Sequence, residues 1–221
     1  MKYSFLLVLG ILSSLQTLWA GKSYIKYKDP SVNIPERVED LLSKMTLDEK
    51  VAQLMQMGSH MIVHNGKIDY EKINTICKKD GIGFFEGITL TGEEAHRIMG
   101  EVQHYMMDST RLGIPVFTLT ESLHGSVNDG ATVYPQAIAL GSTFNPELVY
   151  QMTSAISEEL KVQGITQSLT PVVDVCRDLR WGRVEECFGE DVFLASIMGA
   201  SQVRGYMEHG ISPMLKHFGA H

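Results

Sequence analysis

NPELVYQMTSAISEELKVQGITQSLTPVVD, residues 145–174, holds one helix and one strand with the boundary between them marked on both sides. Asn145 can accept from the open amides of a first turn, Pro146 takes the first helical position, where its missing N–H costs nothing, and Gly164 follows the last periodic residue. Val149, Met152, Ile156 and Leu160 recur at helical spacing and predict one buried stripe. The stretch 166–173 then reads as a buried strand that runs straight into Asp174.

The same alternation extends in both directions. Upstream, a helix is predicted over 67–79, ended by Asp80-Gly81 before a short strand over 82–85. Thr91 caps a long helix that ends near Arg111, and Gly113 releases the chain into a strand over 114–119. Downstream, a helix from Glu190 to about Arg204 precedes a strand over 211–215. Strand and helix in turn are the grammar of a parallel sheet, barrel or doubly wound. Before this series, Val38, Leu41, Leu42 and Met45 lie on one helix face, and Thr46-Leu47-Asp48-Glu49 forms a capping box for a second helix through Val51, Leu54 and Met55.

A complete eightfold barrel takes on the order of 250 residues, and only about four strand candidates are present. The expected fold class is α/β with a helical lead-in. Measured against a barrel, these residues would be the N-terminal part, an incomplete (β/α)8 TIM-like barrel, while a doubly wound sheet stays open at this point. No repeat, low-complexity tract or linker divides the chain. Residues 1–20 read as a signal peptide, 21–35 as an extended polar arm, and 36–221 as one partial barrel domain. Lys2, the apolar run 5–12 and Leu18-Trp19-Ala20-Gly21 predict cleavage after Ala20, hence a secreted or periplasmic protein with no stable membrane insertion afterwards.

Composition narrows the partners. With 44% hydrophobic and 20% charged residues the chain can bury a core, which excludes disorder. A net charge of -7 argues against nucleic acid or an anionic membrane as partner. Cys77, Cys176 and Cys187 are too few for a disulfide framework and are expected as buried thiols, although an oxidising compartment would allow a Cys176–Cys187 bridge. There is no CxxC pair, and His60 and His64 lack the intervening Glu of a metalloprotease helix, so neither metal nor cofactor is expected.

In barrels the reactive face is the carboxyl end of the strands. The strand over 114–119 is followed by Thr120-Glu121-Ser122-Leu123-His124-Gly125, that over 166–173 by Asp174 and the loop RDLRWGRVEECFGED (177–191), and that over 211–215 by Lys216-His217. Guanidinium forks and carboxylates together can grip vicinal hydroxyls, and an indole can pack on a sugar face. Bland alternatives stand beside these: His124 as a satisfied core histidine, Asp174 paired with Arg177 or Arg180, the loop charges paired among themselves. Lys216 and His217 would point to opposite faces of a regular strand, so reaching one ligand requires a bulge or a cis peptide. The residues alone leave open a Schiff-base lysine at Lys216, glycoside hydrolysis involving Glu121, or sugar binding without chemistry.

Six ordered segments, RVEDLLSKMTLDEKVAQL (37–54), ESLHG (121–125), ATVYPQAIAL (131–140), RDLRWGRVEE (177–186), FGED (188–191) and KHF (216–218), together resemble the N-terminal domain of glycoside hydrolase family 3. The resemblance implies a barrel-like domain and a sugar subsite formed by Glu121, Arg183, Lys216 and His217, with Arg180 supporting and Trp181 packing. It further implies an exported retaining β-glycosidase that releases single sugars from a β-linked oligosaccharide or β-glucoside. A β-glucosidase is expected first, a β-xylosidase second, and a non-catalytic carbohydrate-binding or decayed paralogue is the non-enzymatic alternative. The family's N-acetylhexosaminidase branch typically lacks such an arginine loop and fits less well. Leu179 and Val192 stand where many members have proline, and Glu121 where some have Asp. The family's nucleophile follows the Lys-His-Phe motif and its acid/base comes later still, so no catalytic carboxylate is assigned within these residues and the fragment alone is expected to be inactive.

Overall fold

The computed structural model describes residues 25–88, 90–219 and 221, in two compact units divided between Thr46 and Leu47. The predicted signal peptide lies outside the described residues.

In the first unit Lys26–Lys28 form a 3-10 turn and α1 spans Ile34–Lys44. The helix thus begins inside the span predicted as an extended arm. The local reason is Asn33, whose side chain accepts from Glu36 N at 3.0 Å, with Pro35 in the first turn. Tyr27 N donates to Asp40 Oδ2 at 3.1 Å and Arg37 Nε donates to the Tyr27 carbonyl at 2.9 Å, tying the turn to the helix.

The second unit carries a five-stranded parallel sheet, β1 (Gln56–Gly58), β4 (Phe84–Glu86), β5 (Phe117–Thr120), β6 (Gln167–Ser168) and β7 (Ser212–Pro213). Strand order follows chain order without reversal, with Gln56 opposite Phe84, Phe84 opposite Phe117, Leu119 opposite Gln167 and Gln167 opposite Ser212. A doubly wound sheet reverses order at a switch point, whereas a barrel wall does not. The architecture is the incomplete TIM-like barrel expected from the sequence.

Three long helices cover the sheet: α5 (Gly92–Ser109), α7 (Pro146–Val162) and α8 (Val192–Glu208). Shorter helices are α2 (Leu47–Ala52), α3 (Ser59–Ile62), α4 (Tyr70–Cys77) and α6 (Ala137–Gly141). Thr91 and Glu94 close a capping box on α5, Asn145 caps α7 through Leu148 N, and Asp191 caps α8 through Leu194 N at 2.7 Å. The predicted stripe of α7 is buried and joins Ile98, Met99, Val102, Phe85, Met198 and Tyr206 in one core. At Gly205 a Cβ would come within 2.7 Å of Thr153 Cβ, which is why glycine stands where α8 crosses α7.

The predicted strands and helices differ from the observed ones in extent, and one strand is new. β1 has no counterpart in the expectations, because its three residues carry too short a pattern to show. The helix predicted over 67–79 begins only at Tyr70: Asn65 and Gly66, both at positive φ, turn Val63–His64 (β2) back onto Lys67–Ile68 (β3) before Asp69 caps α4. The strand predicted over 166–173 keeps regular pairing only at β6, and its far end re-pairs through a bridge between Val172 and Lys216.

Because Ile156 is fully buried and Val162 on the same helix is 73% exposed, Ile156→Ala is expected to lower unfolding free energy by about 2–5 kcal/mol. Val162→Ala is expected to change it by less than about 0.5 kcal/mol. Urea unfolding followed by far-ultraviolet circular dichroism measures both.

Candidate functional site

Most of the polar residues singled out in the sequence meet at the carboxyl ends of β5, β6 and β7. Below Glu121 the backbone is held by a buried hydroxyl network: Ser122 Oγ lies 2.5 Å from Ser168 Oγ, and Tyr206 OH donates to the Ser122 carbonyl at 2.9 Å. Tyr206 links α8 to the end of β5, and burial raises its hydroxyl pKa to about 12, so it stays a neutral donor. No sequence signal marks this tyrosine, since its partner lies 84 residues away.

Beyond β6 and β7 the two chains remain paired. Val173 N donates to the Lys216 carbonyl at 3.0 Å and Lys216 N to the Pro171 carbonyl at 3.1 Å. The Lys216–His217 peptide is cis, one of the two backbone departures that the sequence required for both side chains to serve one site. Both do face the cluster. Lys216 Nζ contacts the two oxygens of Glu121 at 2.9 and 3.0 Å, and His217 Nδ1 lies 2.8 Å from Asp174 Oδ2. Lys216 is 12% exposed and Glu121 33%, so the pair is shielded by the strand ends while one side of the carboxylate stays open to solvent.

The arginine loop adds the third wall. Cys176 N donates to the Gly189 carbonyl at 3.1 Å and closes the loop at its base. Arg183 makes a bidentate pair with Glu186, Nε to Oε1 at 2.7 Å and Nη2 to Oε2 at 2.5 Å, and its Nη1 lies 3.0 Å from His217 Nε2. The hydrogen bonds from Arg183 hold the Glu186 carboxyl below the usual carboxylate range, and those to Glu186 raise the Arg183 pKa. Arg180 instead points outward, 91% exposed, onto Asp178. Trp181 Nε1 donates to His221 Nδ1 at 3.0 Å.

All four predicted site residues, Glu121, Arg183, Lys216 and His217, are thus brought into one connected cluster. Asp174 belongs to it as well: rather than pairing with Arg177 or Arg180, it takes His217. His124 stands slightly aside, its Nδ1 donating to the Tyr134 carbonyl at 3.1 Å, a satisfied histidine. Cys176 and Cys187 are buried free thiols packed with Val172, and burial pushes Cys187 up to about 12. Among the described residues no group of three or more His, Cys, Asp or Glu is placed to hold a metal ion.

Cavities flank the cluster on both sides. One of about 440 Å³ is lined by Glu121, Leu123, His124, Ser126, Asn128 and Val133, and another of about 470 Å³ by Asp174, Val175, Cys176, Arg177, Trp181 and His221. A larger one, about 730 Å³ and mainly apolar, lies between α8 (Val192, Ala195, Val203, Met207) and the other face of the strand ends at Val173, Val175 and Leu215. The physical chemistry favours the smaller pair, where donors and acceptors converge.

Residues 46–221 match the family described as the glycosyl hydrolase family 3 N terminal domain. A putative beta-xylosidase of Formosa agariphila is 32% identical over 81% of this chain and 24% of its own length. A periplasmic beta-glucosidase of Salmonella typhimurium is 33% identical over 83% of this chain and 23% of its own. Among solved structures, a β-glucosidase from Erythrobacter marinus superposes with a TM-score of 0.78 at 30% identity, over 89% of this chain and 27% of that one. The chain therefore spans about a quarter of the length of these three relatives.

Glu186 yields a pH prediction. Its folded-state pKa lies below the unfolded value of about 4.3, so its stabilisation is fully present above that value and is lost as pH falls through the lower folded one. The thermal-stability advantage of the unsubstituted chain over Glu186→Gln is expected to be greatest near pH 7 and to shrink below about pH 4. Melting curves at pH 7 and pH 3 that show an equal advantage would contradict this.

Proposed function

Because this chain belongs to glycoside (glycosyl) hydrolase family 3, we propose that it is the N-terminal part of an exported, retaining, exo-acting β-glycosidase of the β-glucosidase type. The observation that carries this reading is the convergence of Glu121, Lys216, Arg183 and His217 at the ends of three parallel strands. A half-open carboxylate beside an ammonium and a guanidinium presents both acceptors and donors, as the hydroxyls of a sugar ring require. Such charged bonds strengthen as a ring approaches an oxocarbenium-like state.

The attacking and protonating groups of a retaining glycosidase are two carboxyls about 5–5.5 Å apart. The inner carboxylates of this cluster serve another purpose. Glu121 is taken by Lys216, Asp174 by His217 and Glu186 by Arg183. Each is an anchor with a cationic or N–H partner, and none is assigned to attack or to protonate. Hydrolysis is therefore proposed for the whole protein, and residues 21–221 alone are proposed to bind one sugar without turning it over.

Export is supported by the signal-like residues 1–20 and by the periplasmic relative. Among the described residues no helix is long and apolar enough to cross a membrane. A β-xyloside is the second reading, favoured by the Formosa agariphila relative.

The full open reading frame is expected to release nitrophenol from p-nitrophenyl β-glucoside faster than from the β-xyloside. The reverse order would select the second reading, and activity on neither would sink the proposal. Purified residues 21–221 should release nitrophenol from neither. In the full protein Lys216→Met should lower kcat/KM by about 10- to 150-fold, the size of one hydrogen bond to a charged group.

A further inference from the structure

Asp174 is used twice by the same neighbour. Its Oδ2 accepts from the backbone N–H of His217 at 3.1 Å and lies 2.8 Å from His217 Nδ1. An ionised carboxylate has no proton to give, so Nδ1 carries the hydrogen. On the other side of the ring, Arg183 Nη1 lies 3.0 Å from Nε2. A guanidinium only donates, so Nε2 must offer a lone pair. These two contacts are compatible with one state of the imidazole, the neutral form protonated at Nδ1.

We propose that Asp174 is a positioning residue: it fixes His217 as the neutral Nδ1–H tautomer and, through that ring, holds Arg183 in the orientation that presents it to the sugar. The choice of tautomer follows from what the other nitrogen is bonded to. Without the carboxylate, an Nε2–H form would set an N–H against the N–H of Arg183, and the guanidinium would lose its third fixed contact. Glu186 holds Nε and Nη2, and the His217 contact adds a third fixed point at Nη1. A guanidinium has five N–H groups. Three are engaged, on Glu186 and His217, which leaves two, one each on Nη1 and Nη2, for ligand hydroxyls. Lys216 is peptide-bonded to His217 and already committed to Glu121, and the His221 ring sits with its centroid 4.7 Å from that of His217. Asp174 is therefore the only carboxylate among the described residues that bonds His217.

The ligand part of this inference rests on the sugar-site proposal, while the tautomer part does not. The test is ¹⁵N NMR at pH 8 of the full chain labelled at histidine, with His217→Gln to assign the signal, alongside calorimetric titration with D-glucose and D-xylose. The unsubstituted chain is expected to show His217 protonated at Nδ1 and bare at Nε2. In Asp174→Ala and Asp174→Leu the Nε2–H form should dominate, and affinity for the preferred sugar should fall at least tenfold. An Nε2–H signal from the unsubstituted chain overturns the proposal whether or not either variant folds. Folded variants that keep the Nδ1–H tautomer, or bind the sugar unchanged, overturn it too. If the unsubstituted chain shows the Nδ1–H tautomer yet binds neither sugar, the sugar-site reading falls and the tautomer assignment stands.

Discussion

Parallel pairing between the segments that leave β6 and β7 sets the spacing of every polar group at this end of the sheet. Two bonds carry it, Val173 N to the Lys216 carbonyl and Lys216 N to the Pro171 carbonyl. They continue the ladder past the regular strands, with Val172 opposite Lys216, and bring the Asp174 carboxylate within reach of His217. Lys216 then reaches sideways to Glu121 at the end of β5, so three strand ends become one surface. Register is the controlling quantity: a slip of one residue would turn every side chain of the pair to the other face.

The arginine loop is partly the internally paired structure that charge clusters usually form and partly a wall of the site. Arg180 and Asp178 satisfy each other at the surface, where an exposed pair contributes little. Arg183 and Glu186 pair further in, where burial and bidentate geometry make the contact directional. The same loop thus divides its charges by depth. Those facing solvent shape the loop, and those facing the strand ends carry the contacts to His217.

Helices were more legible than strands. Thr91 and Asn145 each cap within three residues of their own position, so the signal is local and the structure repeats it, whereas Asp191 caps a helix that the sequence pattern starts one residue earlier, at Glu190. The strands are two to four residues long, too short for an alternation to declare itself, and β1 and the β2–β3 hairpin went unread. The Asn65-Gly66 dipeptide was the available clue to that hairpin, and the helical pattern after it was extended too far back. In the site, all four residues named from sequence are in the cluster, yet the partner of Asp174 was not foreseen and Tyr206 was invisible.

The sequence by itself determined the order of the long helices, the parallel character of the sheet and which charged residues follow the later strands, because caps and periodicity act over a few residues. Only the tertiary structure decided which charge meets which. Lys216 finds Glu121 across 95 positions, His217 finds Asp174 across 43 and Arg183 across 34. Those distances are closed by strand register and by helices packing on the sheet, and composition cannot distinguish one carboxylate from another. A side chain's neighbours in space, rather than its neighbours in the chain, made the loop charges into anchors for a site.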